Sequence, residues 1–171
     1  MDDKIKKTKE SEMHELIVKL GSDDGIERQS AREALVAIGR DSVDFLMELL
    51  SHPKHIYRWE AVKTLEEIGD PDTIPIFIQA LEDDKSDVRW IAAEGLIKLG
   101  KKSIKPLLNV LIDKSDSVFV LEGAHHIFFD LREKGLLPAG FPTHKLLSAL
   151  KNPEWIDSVK PLVYDILKNL K

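Results

Sequence analysis

The chain has 171 residues, 43% hydrophobic and 32% charged, with a formal net charge of −5 and no cysteine. It is long enough for a real core, too polar for a membrane-embedded protein and too apolar for a disordered one. Without thiols it has no disulfide or thiolate chemistry, which fits a reducing cytoplasm, and its acidic balance disfavours a phosphate backbone as partner.

The first twelve residues, MDDKIKKTKESE, carry Lys4, Lys6, Lys7 and Lys9 with no apolar stretch behind them. The segment reads as a solvated, frayed end, and no secretory signal is expected. No apolar run approaches the ~20 residues of a membrane span. Met13, Leu16, Ile17 and Leu20 recur at helical spacing and predict a helix over 9–20. The acidic GSDDG that follows, Gly21 to Gly25, reads as a turn.

From there the chain repeats itself. Arg28, Arg58 and Arg89 are spaced by 30 and 31, as are Ala31, Ala61 and Ala92, then Leu35, Leu65 and Leu96, and Gly39, Gly69 and Gly100. The segments between also repeat, as SVDFLMELL from Ser42, TIPIFIQAL from Thr73 and SIKPLLNVL from Ser103. Each repeat therefore holds two helices. Ile104, Leu107, Leu108 and Leu111 form the apolar stripe of a first helix, and Ala92, Leu96 and Leu99 that of a second. Ser42, Thr73 and Ser103 are expected N-caps, with Pro75 and Pro106 in the first turn, where no helical N–H is lost. The glycines suit the left-handed end of a helix. Such short helices are marginal alone and bury their faces by stacking, the small alanines allowing close approach.

The register then decays. In DSVFVLEGAHHIFFDLREKG, 116–135, the arginine position holds Phe119 or Val120, depending on alignment. GLLPAGFP, 135–142, is a longer connection, THKLLSALK, 143–151, a short helix, and Ser158-Val-Lys-Pro161 echoes SIKP in a terminal helix starting between Glu154 and Ser158. Phe128, Phe129 and Phe141, with Leu136 and Leu137, read as closing that end of the core or, alternatively, as an exposed apolar lip for dimerisation or partner docking.

The sequence VRWIAAEGLIKLG at 88–100, its copy RWEAVKTLEEIGDPDTIPIFIQALED at 58–83 and RQSAREALVAIG at 28–39 resemble HEAT repeats, in particular the short HEAT-like repeats of phycobilisome (bilin) lyases. The resemblance covers roughly 10–151. It implies one all-α domain over 1–171, an α-α superhelix (HEAT-like solenoid) of about five helix pairs, near 9–39, 42–69, 72–100, 103–134 and 143–171, irregular at the C-terminal end. It also implies a structural ladder of Arg28, Arg58 and Arg89 with an aspartate from the preceding turn. Asp83 or Asp84 is available to Arg89, and Asp23 or Asp24 to Arg28. Arg58 follows HPKH, so its partner is expected from a neighbouring repeat.

Trp59 and Trp90 hold the same position in adjacent repeats, as packing over the helix groove or as aromatic anchors, each ring expected to keep one face open to solvent. By the family's geometry they face the concave side. With Lys63, Glu66, Glu94 and Lys98 they make a mixed-charge surface suited to a peptide, and Glu66-Glu67 reads as a solvated pair. The resemblance to deoxyhypusine hydroxylase, a HEAT-like di-iron enzyme built on His-Glu dipeptides, fails at its ligands. Only His14-Glu15 has the dipeptide, and Trp59 and Trp90 stand where the enzyme's histidines would. His125 and His126 point about 100° apart and cannot chelate together, and His52 and His55 lack an acidic companion. No nucleophile sits beside a base, so no catalytic residue, cofactor or metal is expected. The expected function is a non-enzymatic protein- or peptide-binding scaffold. The alternatives are a bilin-handling subunit and, disfavoured by charge, a nucleic-acid module resembling HEAT-like alkylpurine glycosylases.

Overall fold

The structure, a computed structural model, describes residues 2–152 and 156–170, with side chains over 10–152 and 157–170. Among the described residues there are ten α-helices and no strand. They are α1 Asp2–Lys19, α2 Gly25–Ile38, α3 Val43–Glu48, α4 His55–Ile68, α5 Ile74–Ala80, α6 Ser86–Leu99, α7 Lys101–Asp113, α8 Val118–Glu133, α9 Thr143–Lys151 and α10 Ile156–Asn169. The first helix thus begins well before position 9. The side chains of Lys4, Lys6, Lys7 and Lys9, and part of the expected start of the last helix, lie outside the described residues. No described helix is long and apolar enough to cross a membrane.

The chain divides into two compact units, Met1–Thr73 and Ile74–Lys171. In the first, α2 packs on α1 and α4, and α3 on α4, around Leu20, Ala31, Leu35, Leu46, Ala61 and Leu65. In the second, α6 packs between α5 and α8, α9 lies on α8, and α10 lies on α7 and α9. Helix α10 therefore seats against the helix whose Ser-x-Lys-Pro opening it echoes. The core here holds Phe77, Leu96, Leu107, Leu111, Ala124 and Phe128. Gly95 is a glycine inside α6 because a Cβ would come within 2.6 Å of the Phe77 ring. The ~1 kcal/mol helix penalty of glycine is offset by that close approach.

Capping positions set the repeat register. The second helices start after Asp24, Lys54, Lys85 and Ser117. Seven residues on stand Ala31, Ala61, Ala92 and Ala124, all buried. The fourth repeat is therefore 32 residues from the third, and its arginine position holds buried Leu121 rather than Phe119 or Val120. An extra residue in the preceding turn displaced the alignment.

The expected N-caps differ as well. Ser42, Thr73 and Ser103 are fully buried, and their hydroxyls donate to the carbonyls of Gly39 at 2.7 Å, Asp70 at 2.6 Å and Gly100 at 2.7 Å. Gly39, Gly69 and Gly100 end their helices at φ of 70°, 68° and 61°, but only Gly69, with ψ of 29°, takes the expected left-handed helical conformation. Gly39 and Gly100 have ψ of −132° and −129°, a positive-φ region still open to glycine. The chain then turns at once through 3-10 segments Gly39–Ser42 and Pro71–Thr73, or straight into α7 at Lys101. Each hydroxyl thus falls one turn past the helix end, where a carbonyl and not a free amide needs a partner. The early start of α7 also puts Pro106 in its second turn, at the cost of the bond to Lys102. Pro75 remains in the first turn of α5.

At the C-terminal end, Phe128 is fully buried and stacks on Phe141, with centroids 5.7 Å apart, as expected for core closure. Phe129 instead lies 41% exposed beneath the Arg132 guanidinium.

Candidate functional site

The three repeat arginines share one local geometry. Arg28 Nη1 donates to Ser22 O at 2.7 Å, Arg58 Nη1 to His52 O at 2.9 Å, and Arg89 Nη1 to Asp83 O at 2.8 Å. Each acceptor is the carbonyl six residues upstream. Arg58 therefore has a partner in its own turn although HPKH supplies no acid. The ladder closes the turn before each second helix through a charge-assisted bond to backbone.

In the first unit, α2 and α4 are joined by an ion network. The Glu60 side chain is 3% exposed and lies between Arg28, with Nε to Oε1 at 3.1 Å, and Arg32, with Nη1 to Oε2 at 2.6 Å. Arg32 also reaches Glu67 at 3.1 Å, and Lys63 pairs with Glu66 at 2.7 Å and Glu67 at 3.7 Å. Lys63, Glu66 and Glu67 are thus engaged within the molecule, and Glu66-Glu67 is not merely a solvated pair. Trp59 is half-buried, with the Arg32 guanidinium 6.0 Å from its ring. In the sequence Glu60 reads as an ordinary member of a polar face. Its signal was the Arg28/Arg32 pair at i,i+4 one repeat upstream.

In the second unit, Trp90 on α6 is 57% exposed. One side of its indole stacks on the His126 imidazole of α8, with centroids 4.5 Å apart and planes at 27°. His126 Nε2 donates to Glu94 Oε1 at 3.0 Å, so histidine and glutamate fix each other and, through the histidine, the indole. Arg89 lays its guanidinium 4.0 Å over the exposed Phe119 ring. Together these residues border an open cleft of about 250 Å³ between α6 and α8, lined by Ser86, Arg89, Trp90, Ala93, Phe119, Glu122, Gly123 and His126. Lys98 is exposed in the last turn of α6.

Of the residues proposed from sequence, the structure joins Trp90 and Glu94 through His126, and Lys63 with Glu66. Trp59 belongs to the first unit and Trp90 to the second. In the sequence His126 reads only as a candidate metal ligand beside His125. Its position 32 residues after Glu94, one repeat on, was the sign of its actual partner. No group of three or more His, Asp or Glu side chains among the described residues could hold a metal ion.

His125 points elsewhere on α8. Burial, and then the nearby charges of Lys151, His126 and Arg132, lower its pKa from the ordinary 6.5. A histidine depressed in the folded state contributes stability above its unfolded pKa and loses it as the pH falls through the folded value. The melting temperature should therefore drop on acidification below pH 6.5, and His125→Gln should remove part of that drop. An unchanged slope in the variant, followed by circular dichroism from pH 7 to 5, would contradict this coupling.

A family model described as HEAT repeats matches residues 13–97 and 43–124, and the chain belongs to that family. Among solved structures it is similar to a chain of the complex of CpcE and CpcF of phycocyanin lyase from Nostoc sp. PCC7120. Identity there is 22% and the TM-score 0.61, over 92% of this chain and 98% of that one. A designed armadillo repeat protein matches with 17% identity and a TM-score of 0.35, covering 91% of this chain and 90% of that one. Another, solved with the peptide (KR)4, matches with 18% identity and a TM-score of 0.36 over the same shares. No curated protein sequence matches. The fold is thus an all-α superhelix of the HEAT type.

Proposed function

We propose that the chain is a non-enzymatic protein-binding module whose second helices present the recognition surface, with Trp90 as its principal anchor. The observation that carries this reading is the fixed, open indole. Trp90 is 57% exposed, yet stacking on His126 holds its orientation. A large aromatic ring ordered before binding loses little entropy when a partner covers it, and tryptophan is enriched among residues that dominate binding energy. Glu94 and Lys98 flank it on α6, while Trp59, Lys63 and Glu66 form the corresponding surface on α4, where the ion network uses the charges internally. Arg28, Arg58, Arg89 and Asp83 serve structure in this reading, by closing the turns.

Trp90→Ala is expected to weaken binding of a cognate partner by about 2 kcal/mol or more while leaving the melting temperature nearly unchanged. Calorimetric affinity beside thermal melts separates the two. A large loss of stability with unaltered affinity would make the ring a packing element. A bilin-handling role is the second reading. What supports it is likeness of fold and size to a chain of the phycocyanin lyase complex, and co-expression with a bilin tests it through visible absorbance on the purified protein.

A further inference from the structure

The α6–α8 cleft contains a carboxylate that the fold does not use. Glu122 is exposed, lines the cleft and has no hydrogen-bond or ion-pair partner among the described residues. The other charged side chains around it each have a contact within the fold. Arg89 donates to Asp83 O at 2.8 Å and covers the Phe119 ring, and Glu94 accepts from His126. Glu122 and His126 stand at i,i+4 on α8, one helical turn apart on the same face. Because His126 stacks on Trp90, an open indole and an unpaired carboxylate border the same depression, floored by the small residues Ala93 and Gly123.

We propose that this cleft takes a basic side chain, lysine or arginine, from an extended segment of a partner protein. The proposal rests on the binding-module reading above and names the chemistry of its ligand. The aliphatic stem of such a side chain covers Ala93, Gly123 and the indole edge. Its cation lies against the electron-rich face of Trp90 and pairs with Glu122. An indole is the best aromatic acceptor for a cation, and a carboxylate beside it adds ion pairing. Arg89 also lines the cleft, with its guanidinium spread over Phe119 and one N–H on Asp83 O. An acidic side chain that reached it would meet Glu122 as well, and the glutamate probe below tests that alternative. The net charge of −5 on the whole chain favours approach by a basic segment.

The test uses the full chain and three fluorescein-labelled hexapeptides in a common Gly-Ser frame, carrying two arginines, two glutamates or two leucines. Binding is followed by fluorescence polarisation. The arginine probe is expected to bind saturably and the other two at least ~10-fold more weakly. Glu122→Gln and Trp90→Ala are each expected to lower its affinity about 10-fold, whereas Asp157→Asn, at the exposed start of α10, leaves it unchanged. Thermal melts of all three variants show that each is folded. Equal affinity for the leucine or glutamate probe, no saturable binding of the arginine probe, or equal losses at Glu122 and Asp157 would overturn the proposal. If a native partner depends on Trp90 but its cross-linked segment has no lysine or arginine, the basic ligand is wrong while the binding-module reading stands.

Discussion

Leu96→Ala is expected to lower the free energy of unfolding by about 2–5 kcal/mol. Leu96 is fully buried on α6, the helix that packs against both α5 and α8, and it belongs to the leucine series that recurs at 35, 65 and 96. Truncation removes apolar area and leaves a cavity between repeats, and a helix of this length has little stability of its own to compensate. Lys101→Ala, on the exposed start of α7, should stay within about 0.5 kcal/mol. Denaturant midpoints, with m values checked for two-state behaviour, give both numbers. Equal, small losses at the two sites would mean that α6 does not turn this stripe to the core.

Glu60→Ala is expected to cost about 3 kcal/mol, because it leaves two arginines facing a part-buried gap. Their side chains retain 24% and 15% exposure, so water reaches them and the cost falls toward the lower end for a broken buried pair. The distinctive expectation is non-additivity. Once Glu60 is alanine, Arg28→Met and Arg32→Met should cost much less than in the parent, and the triple change should recover part of the loss. Strict additivity in the double-mutant cycles would show that the network carries no coupling.

The repeat architecture was legible because packing acts on every copy alike. Alanines at the helix crossings, buried leucines and positive-φ glycines at helix ends recur at fixed spacing, and each has one physical reason to be there. The features that escaped involve partners in another repeat or in the backbone. The carbonyls that receive Arg28, Arg58 and Arg89 leave no trace in composition, so the missing acid before Arg58 looked like a gap. The hydroxyls of Ser42, Thr73 and Ser103 are chemically able to cap a helix or to close the preceding one. Where the glycine stops that helix decides between the two. Glu60 and His126 read as ordinary members of a polar face until the Arg28/Arg32 pair and Glu94 are set one repeat away from them. In the fourth repeat the arginine is gone, so only the alanine at 124 and the cap at Ser117 keep the register.

The measurement that bears most directly on the binding reading is acrylamide quenching of single-tryptophan proteins. Trp155 lies outside the described residues and is replaced by phenylalanine in both variants. A further Trp59→Phe leaves Trp90 as the reporter, and Trp90→Phe leaves Trp59. Trp90, 57% exposed and stacked on one side alone, should be quenched several-fold more strongly and emit further to the red than half-buried Trp59 beside Arg32. Protection of Trp90 equal to that of Trp59 would contradict an indole held open for a partner and leave the Arg-Trp repeat as packing alone.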